Sequence, residues 1–255
     1  MLQLIGHRSG IPSRVGGNRL APGTGDLLRT HEPPAATVHQ LLPEILKLRL
    51  THEPGAEFQD SNVGYLLLGR IVEQATGRSY AQACAERILR PSGVTDAGLH
   101  PKWGRLLDSA AGWELSPAEY LAFARQLRPN RKSVLDAATH ALLVKPDGFW
   151  RDDRKQTAYT LGVIVWPVAN ALPGLSHTGG WDWAQKDARG GPVDENPGTL
   201  FVLTSDEVAW FVSFETSSRA DEQRARSDLD SAMWRAKRAV TTWPSKDLFS
   251  AHRVK

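Results

Sequence analysis

Two short polar stretches of this 255-residue chain hold side chains able to do chemistry together: Asp60-Ser61-Asn62 and His177-Thr178-Gly179-Gly180. In the second, a cationic or hydrogen-bonding histidine could hold a carboxylate or a carbonyl, and the paired glycines would let a bound molecule approach the backbone. The plainer reading of those four residues is a turn. In the first, Asp60 has a reference pKa near ~3.9, is ionised at neutral pH and could act as a base. Its plainer role is to cap a helix that begins near Asn62.

Covalent hydrolysis by a serine needs a base beside the hydroxyl. A Ser-x-x-Lys pair on a helix supplies one, because positions i and i+3 share a face. No serine or threonine of this chain has a lysine three residues on: Ser9 is followed by Pro12, Ser61 by Gly64, and Ser245 has Lys246 at the wrong spacing. Ser61 could be considered as a substitute nucleophile, but no lysine lies within a turn of it, and turn serines commonly cap helices. The eight histidines show no His-x-x-x-His or His-x-His spacing, so no local metal motif exists, although distant ligands could converge. The single cysteine, Cys84, excludes an internal disulfide and a Cys-rich zinc site, and between Ala83 and Ala85 it reads as a small packed residue. The Gly- and Pro-rich Arg189 to Gly198 has no Gly-Lys-Ser/Thr ending, so it reads as a flexible connection rather than a phosphate cradle. No cofactor is expected.

The elements that position these residues begin with Pro54 to Pro91. Pro54-Gly55 is a turn dipeptide, and Asp60-Ser61-Asn62 opens a helix on which Val63, Leu66, Leu67, Ile71 and Val72 recur at helical spacing until Thr76-Gly77 stops it. A second helix runs from about Ser79 to Leu89. Upstream, Gly16 to Pro34 reads as a long surface loop and Thr37 to Leu48 as a helix. Downstream, Leu99 to Trp113 looks irregular, Ser116-Pro117-Ala118-Glu119 opens a helix to about Leu127, and Asp136 to Val144 is a further short helix. From Tyr159 the period becomes extended, with strand-like runs at Tyr159 to Val168, Leu200 to Thr204 and Val208 to Thr216, and with Asp206-Glu207 as a hairpin turn. A helix from about Arg219 to Val240 closes the chain, its Leu229, Met233, Trp234 and Ala236 suited to lie against a sheet. Of the later tryptophans, Trp150, Trp166 and Trp210 read as packing residues, while Trp181 and Trp183, just after His-Thr-Gly-Gly, could wall a pocket.

The central stretch, PGAEFQDSNVGYLLLGRIVEQATGRSYAQACAERILRP, resembles the serine penicillin-recognising hydrolases: class C β-lactamases, D-alanyl-D-alanine carboxypeptidases and related esterases. The match runs from Phe58 through Ser61-Asn62, Gly64-Tyr65, Leu67-Leu68-Gly69, Thr76-Gly77 and Ser79-Tyr80 to Pro91 and Gly93. It implies an α/β (α+β) fold: an antiparallel sheet flanked by helices plus a helical lobe. It also implies an acyl-serine mechanism on an ester, amide or β-lactam of a small molecule or peptide. Under it, His177-Thr178-Gly179 corresponds to the family's third motif, and the Gly180 N–H to one of two oxyanion donors. Asn62 corresponds to the asparagine of Tyr-x-Asn, which binds the substrate amide, and Asp60 stands where the family has the tyrosine. Asp60 cannot reproduce a phenol's reach.

Met1 to Pro12 also resembles a family segment, at His7, Ser9, Gly10 and Pro12, that lies downstream of the nucleophile. The resemblance therefore implies a partial domain over 1–255, with residues 1–150 mainly a helical lobe and 151–255 an antiparallel sheet with a C-terminal helix. The first strands and the Ser-x-x-Lys helix are expected to be missing. Such a domain is expected to be marginal, or completed by a protein partner, and inactive as a hydrolase. The alternative is a non-catalytic relative that binds a ligand or partner through the remaining cleft.

Composition narrows the remaining classes. A net charge of +3, from 31 basic and 28 acidic residues, is interleaved even in the basic Arg219 to Lys237, which argues against nucleic-acid binding. No run is long enough to span a bilayer. The N-terminus lacks the charged and apolar regions of a signal peptide, although the resemblance suggests the cell envelope.

Overall fold

The computed structural model of the protein describes residues 1–12, 37–101, 104–129, 133–146, 149–151, 154–180, 183–186, 192–216 and 218–245. The loop expected at Gly16 to Pro34 lies outside them.

The helical part is built on α3, Asn62–Thr76, with α1 (Leu2–Ile5) and α2 (Val38–Ile45) preceding it. Ser61 caps α3: its backbone is extended (φ −148°, ψ 100°) and its Oγ accepts from the Gly64 N–H at 3.2 Å. Asp60 is one residue too early to cap, and its carboxylate turns toward His7 instead. Gly77 ends α3 in the left-handed region (φ 66°), where a residue without Cβ is unstrained. Ser79 then caps α4, Tyr80–Cys84, and the chain winds on through a π-type turn to Leu89.

Leu99 to Trp113, expected to be irregular, holds α5 (Gly104–Ala111) between two-residue strands β1 (Gly98–Leu99) and β2 (Trp113–Glu114) that pair antiparallel. Leu106 and Leu107 are both buried, and Leu107 leaves helical geometry (φ −111°), which kinks this eight-residue helix. Helix α5 packs closely on α3: a Cβ at Gly69 would lie 2.3 Å from Ser109 Oγ. Beside that contact the buried Arg70 pairs with Asp108 and with Glu73. Val63 and Leu66 of α3, Val38, Leu41 and Ile45 of α2, and Leu106 and Leu107 of α5 form one apolar core.

Two capped helices lead to the sheet. Ser116 and Glu119 form a capping box on α6, Pro117–Ala124, and Asp136 caps α7, Ala137–Val144, through the Thr139 N–H at 2.7 Å. The run from Tyr159 divides into β3 (Ala158–Tyr159) and β4 (Ile164–Trp166), because Gly162 turns the chain at φ 84° and the Thr160 N–H bonds the Val163 carbonyl. Strands β5 (Gly174–Gly180), β6 (Trp183–Lys186), β7 (Pro192–Leu203) and β8 (Ala209–Thr216) follow, then α8, Arg219–Ala239. All pairings are antiparallel, in the order β3-β4-β5-β7. Strand β6 pairs with the first residues of β7, and β8 with its remainder. The expected connection Arg189 to Gly198 is thus strand from Pro192 onward, drawn into the ladder by two partners.

Alternation along β7 divides the sheet's two faces. Phe201 and Leu203 join Leu175, Val165, Ala124 and Leu143 under α6 and α7, whereas Leu200 and Val202 join Trp210 under Met233 and Trp234 of α8. The buried Arg128 donates to the carbonyls of Pro173, Leu203 and Thr204, tying the end of α6's extension to the strand ends. No helix among the described residues is long and apolar enough to cross a membrane.

Candidate active site

The N-terminal segment, the start of α3 and the edge of β5 converge on one cavity of about 420 Å³, with the end of α5, the β3–β4 region and the first turns of α8 completing its wall. Asp60, Asn62, His177, Thr178, Gly179 and Gly180 all line it. His-Thr-Gly-Gly is not a turn. It is the second half of β5, in register with β7 from His177 opposite Phe201 to Gly180 opposite Gly198. The two glycines are needed by the protein's own packing: a Cβ at Gly179 would lie 2.7 Å from Thr199 Oγ1, and one at Gly180 2.8 Å from Glu222 Oε1. Glu222 is paired with Arg226, whose Nη2 also donates to the Gly179 carbonyl at 2.7 Å.

Of the two roles open to His177, cation or neutral hydrogen-bonding group, its burial favours the second. Burial lowers its pKa; Asp60 opposes the shift, and Arg226 and Arg151 add to it. Its Nε2 lies 3.0 Å from the Tyr159 hydroxyl. The Tyr159 oxygen is 3.4 Å from that of Tyr65, which donates to the Ile5 carbonyl at 2.8 Å. Burial raises the Tyr65 pKa to about 12 and pushes that of Tyr159 up as well, so both phenols are neutral donors rather than bases.

His7 completes this wall. Its ring lies 4.6 Å from that of Tyr159 and 4.9 Å from that of Tyr65, centroid to centroid. The Ser61 N–H donates to its Nδ1 at 3.0 Å, so the neutral ring carries its proton on Nε2, which faces Asp60 Oδ1 at 3.4 Å. Burial lowers the His7 pKa to about 4 despite that carboxylate. The contact therefore joins a neutral donor to an acceptor, not two charges. Asp60 itself is 79% exposed and reaches into the cavity's open side. Arg151, 5.2 Å above the Phe58 ring, supplies a cation on the same side.

The cavity offers recognition groups without a serine–lysine pair. No lysine lines it. Its serine is Ser109, whose Oγ donates to Asp108 at 2.9 Å. Ser61 is buried and engaged, accepting from the Gly64 N–H and donating to the Pro12 carbonyl at 3.2 Å. Trp181 and the side chain of Trp183, expected as pocket walls, lie outside the described residues. Among the described residues no group of three His, Cys, Asp or Glu side chains could hold a metal ion. Sequence reasoning did not single out Tyr159, Tyr65, Arg151 or Ser109 for the site. Tyr65 sits inside the central motif and Tyr159 opens an extended run, but neither has a neighbour at a chemical spacing in sequence.

The family model for Beta-lactamase matches residues 1–188. Protein flp of Staphylococcus aureus (strain N315) is 28% identical over 113 residues, 44% of this chain and 21% of that protein. The D-aminopeptidase of Brucella anthropi is 36% identical over 69 residues, 27% of this chain and 13% of that one. The chain thus spans less than a quarter of the length of these curated relatives. In fold it is similar to a penicillin binding protein from Bacillus halodurans, with a TM-score of 0.65 at 16% identity, over 89% of this chain and 72% of that one. With its central motif, its antiparallel sheet and a family match over most of its length, the chain belongs to the Beta-lactamase family.

Proposed function

We propose that the cavity is the acyl-binding half of a β-lactamase-type hydrolase site, taking an ester, amide or β-lactam. The observation that carries this is the meeting of Asn62, at the start of α3, with His177 to Gly180 on β5 across one cavity, although they lie far apart in sequence. In this reading the Asn62 amide holds the substrate's amide group and the Gly180 N–H donates to the carbonyl oxygen. His177 is a neutral hydrogen-bonding group beside it. Thr178 lines the strand edge along which the acyl chain lies. Asp60 and Arg151 flank the mouth and suit a substrate with a polar or charged end.

In the family that the sequence resembles, attack on the carbonyl comes from the serine of Ser-x-x-Lys. This sequence contains no such pair. The chain by itself therefore binds acyl compounds and does not turn them over through an acyl-enzyme. The D-aminopeptidase relative suggests a D-amino-acid amide with a free amino group as the first probe, with its L enantiomer as comparison. Titrated into the ¹⁵N-labelled chain, the D compound should move the amide signals of Asn62 and of His177 to Gly180 while its amide bond stays intact. Shifts elsewhere only, or release of the free acid, would overturn the proposal.

A further inference from the structure

Nothing in the sequence motifs assigns a role to Tyr159, yet its hydroxyl is placed to decide where His177 keeps its proton. The Ile5 carbonyl can only accept, so the single proton of Tyr65 is committed to it at 2.8 Å. Tyr159 then has one proton and two acceptors, the Tyr65 oxygen at 3.4 Å and His177 Nε2 at 3.0 Å. An O–H···O hydrogen bond is normally near ~2.7–2.8 Å, so the longer contact is not where that proton lies. We infer that Tyr159 is a positioning residue: its neutral phenol donates to His177 Nε2 and thereby fixes the ring as the Nδ1–H tautomer.

This inference rests on the site reading above for its consequence, though not for its geometry. With Nε2 occupied, the one proton of His177 lies on Nδ1, where the Thr178 backbone is also a partner, and no lone pair is free. It is then neither a base nor a cation. A site built this way favours a neutral carbonyl acceptor in the substrate over a carboxylate that would call for a charged partner. The groups around the ring agree with a neutral state: His7, itself neutral, and the cations Arg151 and Arg226 face it, while among the described residues Asp60 and a bond to the Thr178 backbone favour its protonation. The Tyr159 ring also sets the imidazole plane by an edge contact, with centroids 5.9 Å apart at 66°.

The test is nitrogen-15 spectroscopy of the histidine rings in the whole chain, without substrate, so it stands whether or not the hydrolase reading does. The wild-type His177 should show a protonated Nδ1 and an unprotonated, hydrogen-bonded Nε2. In Tyr159→Phe the ring and its burial persist while the donor to the neutral form is lost. The His177 pKa should therefore rise by about one unit and the tautomers should mix. Tyr65→Phe should leave the His177 tautomer unchanged. A protonated Nε2 in the wild type, or a Tyr159→Phe chain with an unaltered His177 tautomer and pKa, would overturn the inference. If Tyr159→Phe fails to fold, the wild-type spectrum and Tyr65→Phe decide it alone.

Discussion

His7 shows how one buried side chain can set the acid behaviour of the protein. Its backbone sits in the left-handed region (φ 55°), and its Nδ1 accepts the Ser61 N–H only while the ring is neutral. The folded-state pKa near 4 lies below the ordinary 6.5, so above pH 6.5 folded and unfolded chains are alike at this residue. Between 6.5 and 4 the unfolded chain binds a proton that the folded chain refuses. Stability therefore falls with decreasing pH through this window, by on the order of 3 kcal/mol from His7. His177 acts in the same direction. His7→Asn tolerates the same backbone conformation and cannot titrate, so denaturant titrations at pH 7 and pH 4.5 should differ less for the variant than for the wild type. An equally steep decline in the variant would place the acid sensitivity elsewhere.

At the scale of the element, α3 carries Asn62 to the cavity and packs on α2 and α5. Its stability rests on Ser61, which caps the helix, holds the Pro12 carbonyl and gives its N–H to His7. Ser61→Ala should destabilise the protein by about 1–2 kcal/mol. Asp60→Ala, which removes no cap, should change stability by less than about 0.5 kcal/mol. Chemical denaturation measures both, and a larger loss for Asp60→Ala would return the capping role to it.

Elements of this kind are legible in the sequence wherever a cap, a glycine stop or a turn pair marks their ends. Helix α3 with its glycine stop, α6 behind its capping box and the Asp206-Glu207 hairpin are examples. Legibility failed where tertiary contacts decide the local form. Helix α5 is only eight residues long and kinks at Leu107, which packs with Leu106 against α2 and α3. The run from Tyr159 breaks at Gly162, and Pro192 to Gly198 becomes strand only because β6 and β8 flank it. The same holds in the cavity. Asn62 and His177 to Gly180 could be found because they sit in motifs, whereas the Tyr159 contact with His177 exists only after β3 and β5 have been aligned through β4.

At the scale of the whole molecule, apolar packing among the described residues falls into two cores, that of the helical part and that of the sheet, which has a cluster on each face. Val63, Leu66 and their neighbours pack the helical part, and the sheet packs its own residues on both faces. The rings of His7, Tyr65 and Tyr159, in tilted contact with one another and with a 3.4 Å contact between the two hydroxyls, link the N-terminal segment and α3 to β3. Two cores joined in this way should open separately. Native-state hydrogen exchange should be slowest in β5 and β7 and markedly faster in α1 and α2, and calorimetry should show the helical part melting first. A single sharp transition with uniform protection would mean that the cavity wall couples the two parts more tightly than their contacts suggest.

The central claim is that this chain holds an acyl compound without becoming acylated. Mass spectrometry of the chain with benzylpenicillin or an activated acyl ester, recorded first under native conditions and then after denaturation, tests it most directly. The expected result is a complex heavier by one ligand in the native spectrum that reverts to the unmodified 28.1 kDa chain once denatured. A denatured chain still heavier by an acyl group, or no complex in the native spectrum, would contradict the account.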